Sequence, residues 1–465
     1  MVEIMFETGR KALISLVIVL IVSQIFPDLL IFGESTFQTI IVLTCYLYVA
    51  LALFGPSRHR LFHVLSIPVF SQFLHLFQKY AFTAGANSGW RLLPFIMLLM
   101  YFFNFFLKVN VHLSRNEKLF LLTWITTQLG FLTISPNLAN TVFGGLLFYL
   151  AILPLFFLYL HTLSEATDFQ SKMEMYLCLL YFILGFGTFG LIFAGAAYKG
   201  SDNLLVTRNI SDTNVTMAYF ILLWPFALLF FQRNRLPTYI LITLLGIFVG
   251  IVIFSFSRGA VFIVAPYLFI TTGIIFQRRQ IVWLAGALLV ISFFFKNITH
   301  AFEDQGLGYS WGLRFGGAAA PLAAVQKLQA SSGRAEIHAI AYDLFLKSPL
   351  FGHGTGSFEM LGPGYREAHS LLFTLLAEQG LIGTLYFYIL LAILALTLIH
   401  ATRLDKRYWL LTISLLFYLI FNHTVGSVFV IIPGKSITIN CIAPILLLCL
   451  FFYSRSAANI PDQNG

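Results

Sequence analysis

Charge is the first thing this sequence lacks. Of its 465 residues only 10% are Asp, Glu, Lys or Arg, against about a quarter in ordinary soluble domains. With 59% hydrophobic residues and a mean hydropathy of +0.86, that shortage excludes a soluble globular protein. Cysteine is nearly as scarce. Cys45, Cys178, Cys441 and Cys449 each sit inside an apolar run without metal-ligand spacing, so neither a disulfide framework nor a zinc site is indicated. Internal repeats are missing, and so are the paired broken helices that transporters often carry in corresponding halves. Few ionisable residues fall inside the apolar runs, Glu378 being the clearest, which leaves a pump or proton relay little to run on.

Apolar helix fills the chain instead. Windows long enough to cross roughly 30 Å of hydrocarbon fall at 11–26, 37–54, 61–78, 91–107, 118–135, 141–160, 175–194, 214–231, 236–254, 259–276, 281–296, 371–399, 409–425 and 437–453. The expected fold is an all-α polytopic membrane protein with about 12–14 transmembrane helices and one large polar loop containing short helices. Three regions follow: residues 1–296 with about 11 spans, the loop 297–370, and residues 371–465 with about three spans and a short tail. The first apolar run ends at Pro27-Asp28 without a small-residue cleavage pattern, so it reads as a retained helix. The 51 phenylalanines suit lipid-facing and interhelical packing.

Basic residues are distributed unevenly. The loops GPSRHR, KVNVHLSRNEK, FQRNR, QRRQ and TRLDKR share one side if the windows hold. With both termini that side collects about 16 Lys and Arg, against about 6 in the short loops opposite, and is expected to be cytoplasmic. The net charge of +9 is largely this bias and is no sign of nucleic-acid binding. The opposite, outer side carries 79–91, 198–214, 255–259 and the long loop 297–370.

Polar residues and glycines concentrate in 331–383. The spacing of Ile337, Ala341, Leu344 and Phe345 predicts a helix from Arg334 that Pro349 ends. LFGHGTGSF then offers a backbone that can turn sharply and aim N–H groups at an anion. Four outer-side arginines stand out: Arg208, Arg258, Arg334 and Arg366. At a helix mouth Arg258 either snorkels to the interface or meets an anion. Arg334, in a first helical turn where the macrodipole disfavours a cation, either reaches a carboxylate or faces a ligand phosphate. Guanidinium forks at these positions suit a diphosphate. His369 lies beside Arg366, Glu367 and Ser370, just before the apolar run from Leu371, and reads either as an interfacial anchor or as a base. His353 is a second candidate in what looks like a flexible turn. Glu378, about two and a half turns below His369, either caps the helix weakened by Gly380 and Gly383 or has a catalytic role.

SFSRGA, then SGRAEIHAIAYDLFLKSPLFGHGTGSF, then AHSLLFTLLAEQGLIG, spanning roughly 250–390, resemble the bacterial O-antigen ligase and polymerase superfamily. Ser370 stands where that family usually has Asn, and the chain has about two spans more than a typical ligase. The resemblance implies transfer of a glycan from an undecaprenyl-diphosphate carrier to an acceptor hydroxyl, on a glycan or on lipid A-core, at the periplasmic face of the bacterial inner membrane. It implies Arg258 and Arg334, with Arg208 and Arg366, on the diphosphate, and His369, aided by Glu367, as the base. Apolar spans and membrane lipids would receive the polyprenyl tail. No Asp-x-Asp motif for a metal-bound sugar diphosphate is present, so no metal or other cofactor is expected. Two other readings stay open: a flippase for lipid-linked oligosaccharides, and a protein-directed oligosaccharyltransferase of the same superfamily.

Overall fold

The computed structural model describes residues 47–55, 57–69, 93–136, 146–191, 213–254, 258–275, 334–363, 368–424 and 442–458. Every regular element among them is helical, as expected for an all-α membrane protein. In chain order they are α1 (47–54), α2 (Arg60–Val69), α3 (Leu93–Phe106), α4 (Arg115–Thr133), α5 (Leu153–Ser164, entered through the π-helical stretch Leu146–Ile152), α6 (Phe169–Leu191) and α7 (Thr213–Arg233). After these come α8 (Thr238–Phe254), α9 (Arg258–Ile275), α10 (Arg334–Lys347), the single turn α11 (Phe358–Leu361), α12 (Leu371–Leu404), α13 (Trp409–Thr424) and α14 (Ile442–Ala458). The windows 118–135, 214–231, 236–254, 259–276 and 409–425 thus emerge as helices nearly end to end. Those at 11–26 and 281–296 lie outside the described residues.

α7 is the axis of the bundle. It is apolar all round, which a helix tolerates only when it is enclosed on every side, and Met217 to Phe230 are all buried, Pro225 included. It packs on α6, α8, α9, α13 and α14. Pro225 has no N–H to give the Ile221 carbonyl one turn earlier. The Tyr267 hydroxyl on α9 supplies that bond at 2.8 Å and also meets Ser414 Oγ on α13 at 2.7 Å. A defect that would leave a buried carbonyl unpaired is therefore repaired by a neighbour, the condition on which membrane helices accept proline.

Four of the five loops expected to share the basic side meet at one end of the bundle, where ion pairs hold the helices together, and the fifth, QRRQ at 277–280, lies outside the described residues. Glu117 closes a capping box with Ser114 at the start of α4 and accepts from Arg455 of α14. Glu174, 1% exposed on α6, takes a two-pronged bond from Arg233 at the end of α7, at 2.6 and 2.7 Å, and one from the Tyr453 hydroxyl. Gln170 donates to Tyr408 at 2.8 Å and to Ser456 at 3.2 Å. Four helices, α4, α6, α7 and α14, and the 3-10 turn Lys406–Tyr408 are joined in this way.

Candidate active site opposite the basic loops

At the opposite end α12 breaks. Gly380 has φ 61 and ψ −162 inside an otherwise continuous helix. An unbroken helix would pair Leu381 N with Ala377 O and Ile382 N with Glu378 O. Here the turn 349–354 is inserted between those partners. His353 N donates to Ala377 O at 3.1 Å and Gly354 N to Glu378 O at 2.7 Å, while Leu381 N and Ile382 N donate to Pro349 O and Leu350 O at 2.8 and 3.1 Å. Two helical bonds are exchanged for four bonds to the turn. Each of the four groups, left buried and unpaired, would cost about 1–3 kcal/mol, so break and turn depend on one another.

The glycines make this approach possible. Gly352, Gly354, Gly356 and Gly380 all have positive φ. A Cβ on Gly380 would lie 2.5 Å from the Leu350 carbonyl carbon, and one on Gly354 would lie 2.5 Å from Ser135 Cα. The turn does present N–H groups to an anion, as its composition suggests, but the anion is the protein's own. Glu378 Oε2 accepts from Gly356 N at 2.8 Å, and its other oxygen lies 3.4 Å from Phe358 N. Glu378 thus serves to cap the break. His353, expected in a flexible turn, is instead docked: its Nε2 is 2.9 Å from the Leu344 carbonyl near the end of α10. Thr355 N donates to Phe131 O at 3.0 Å and Ser135 Oγ to Thr355 O at 2.8 Å, which fastens the end of α4 to the same turn.

His369 stands at the head of α12 with φ 50. Among the described residues one other non-glycine has positive φ, Arg235. It has a local reason, because the bond from Leu236 N to Phe231 O closes a helix C-terminus there. His369 precedes a helix, where no such motif operates, and a left-handed L-residue costs about 1–2 kcal/mol. Such strain persists only when its surroundings enforce it, and it collects at functional sites. Ser370, 3% exposed, is the N-cap residue without a side-chain cap bond, and its carbonyl accepts both the Thr374 N–H (3.0 Å) and the Thr374 hydroxyl (2.8 Å).

α10 lies against α12 through Ile337, Ala341 and Leu344, three of the four residues of its expected apolar stripe. This brings Arg334 to the same end of the molecule, where its guanidinium donates to the Thr424 carbonyl at the end of α13. One turn on is His338, which the sequence reading passes over. Its ring stacks on Phe373 at 4.4 Å and 18°, and it bonds to the Ala368 backbone. Burial first, then the charges of Arg334 and His369, hold its pKa below the ordinary histidine value. The signal was in the sequence: His338 follows Arg334 by four positions, the spacing that places two side chains on one helical face.

Of the other expected site residues, Arg258 is the first residue of α9, described in its backbone only. Arg208, Arg366 and Glu367 lie outside the described residues. The structure therefore gathers Arg334, His338 and His369 around the α10–α12 junction. Among the described residues no cluster of His, Cys, Asp or Glu is arranged to hold a metal ion.

Residues 241–388 match the family model described as O-Antigen ligase. The matched segment runs from α8 into α12 and contains Arg258, Arg334, the glycine turn, His369 and Gly380. No curated protein and no solved structure matches the chain.

Proposed function

Because residues 241–388 of this membrane protein match the O-Antigen ligase family model, we propose that it moves a glycan from undecaprenyl diphosphate to an acceptor hydroxyl, on a glycan or on lipid A-core, at the periplasmic face of the inner membrane. The observation that carries this reading is the strained His369, set at the head of α12 beside the Arg334 helix.

The chemistry needs a base and fixed positive charge. The acceptor oxygen attacks the anomeric carbon of the donor sugar, its proton passes to a ring nitrogen of His369, and the bond from the anomeric carbon to the phosphate oxygen breaks. Undecaprenyl diphosphate leaves with that electron pair. Arg334 and Arg258, with Arg208 and Arg366, neutralise the charge that develops on it, an effect strongest in a site closed to water. A positioned base is worth about 10²–10⁴ in rate. To take the acceptor's proton the His369 ring must be neutral. Glu367, two residues before His369 in the sequence, is the next candidate base. The missing Asp-x-Asp motif supports transfer without a metal, and the purified protein should keep its activity in a strong chelator.

The test is transfer by the purified protein in lipid, from a polyprenyl-diphosphate glycan to a soluble acceptor, with His369→Ala as control. Loss of transfer in this variant at normal folding is expected, and an active variant would overturn the assignment. The glycan profile of a deletion strain sorts the acceptor. Polymer left on the carrier means a ligase, single repeat units on the surface lipid mean a polymerase, and unglycosylated protein with intact surface lipid means a protein transferase.

A further inference from the structure

Three observations converge on the peptide just before His369. Ala368 is fully buried in a small cluster with Ile337 and Ala341 of α10 and Phe358 and Ala377 around the turn. His338 bonds to its backbone. Because His338 Nε2 is buried with no partner among the described residues, Nδ1 is the nitrogen left for that bond, and an imidazole N–H facing a peptide finds its acceptor in the carbonyl. The His338 ring is itself held flat against Phe373, two residues after the start of α12.

On the other side of His369 the Ser370 carbonyl is held by the two bonds from Thr374. The histidine therefore lies between two anchored peptides, and its left-handed backbone is what the anchors leave it. Thr374 belongs to α12 and would hold Ser370 in any helix of this kind. The anchor on Ala368 comes from a different helix, the one that also carries Arg334.

We propose that His338 is a positioning residue for the transfer reaction: by holding the Ala368 peptide from α10 it fixes the backbone of His369, and so aims the base, in register with Arg334. This rests on His369 being the base. It assigns His338 no contact with substrate. The coupling has a chemical point, since a base and the cation on the leaving diphosphate must keep a fixed separation, and misplacement by about 1 Å can cost 10²-fold in rate.

The experiment compares two substitutions and one pair. His338→Phe keeps a ring against Phe373 and removes the bond to Ala368; His338→Asn keeps an N–H donor close to the place of Nδ1. Transfer is measured per folded molecule, with folding followed by monodispersity and melting in detergent. His338→Phe should lower kcat about 10- to 100-fold with little change in KM for the donor, and His338→Asn should recover most of it. In a His369→Ala background His338→Phe should cost nothing further, because it acts through the base. Wild-type kcat in His338→Phe while His369→Ala is dead would overturn the positioning role and leave the base assignment standing. So would His338→Asn as slow as His338→Phe, or a full multiplicative loss in the double variant. A His369→Ala protein as active as wild type would overturn the base assignment first, and the positioning role with it.

Discussion

The two ends of the bundle are held together by different means. At the basic end the joints are side chains: Glu117 with Arg455, Glu174 with Arg233 and Tyr453, Gln170 with Tyr408. At the opposite end the joint is backbone, a glycine turn inserted into the break of α12, with Glu378 as its cap. The difference lies in what the charged and polar side chains meet. At the basic end the buried carboxylates are taken up by ion pairs between helices. The end closed by peptide groups holds its arginine and histidines against backbone instead: Arg334 on the Thr424 carbonyl and His353 on that of Leu344.

The largest effect should come from forcing the backbone joint. Gly380→Val adds a branched side chain where even a single Cβ meets backbone at 2.5 Å, at a positive φ that valine resists. Destabilisation above about 4 kcal/mol is expected, seen as loss of monodisperse protein from detergent. A well-folded Gly380→Val protein would show that turn and helix can separate. His369→Ala should follow, with about 10²–10⁴ lost in rate and unchanged melting, since it removes a strained residue that the joint does not use. If this variant instead unfolded, the end opposite the basic loops would prove to rely on side chains after all.

At the basic end, Glu174→Ala strands the Arg233 guanidinium and should cost about 2–4 kcal/mol in stability while transfer per folded molecule stays normal. A selective loss of rate would couple the two ends. Arg334→Lys keeps charge but loses the guanidinium fork, and about a 10- to 100-fold lower rate is expected without a change in fold. Full activity would remove Arg334 from the diphosphate. His353→Ala should show the least, about 1 kcal/mol of stability from the lost bond to Leu344, with rate per folded molecule preserved.

Much of this was legible in the chain, and the remainder fails for a common reason. Hydropathy locates the spans, periodicity locates α10, and four of the five basic loops meet at one end, because each of these is set by neighbours in sequence. The pairing of Glu117 with Arg455 joins residues 338 positions apart, and nothing local announces it. The glycine turn was visible as unusual, yet its partner is a helix break that Gly380 only hints at. Ligand and helix backbone both want the N–H groups such a turn offers, and composition does not say which takes them. His338 was the one omission that spacing could have supplied.

The break in α12 also sets a height. Counted from Leu381 to Leu404 the lower segment has 24 residues, about 36 Å of helix, which alone exceeds the roughly 30 Å of a hydrocarbon core. The residues above Gly380 are therefore not needed to cross the membrane, and with Ser370 extended ahead of the helix they carry His369 at most about 20 Å beyond the break. A lipid-borne phosphate is confined to the headgroup layer, whereas the sugars it bears extend away from it. On the proposed function the upper segment of α12 sets the distance between those two levels, and inserting or deleting a full turn between Ser370 and Gln379 should abolish transfer.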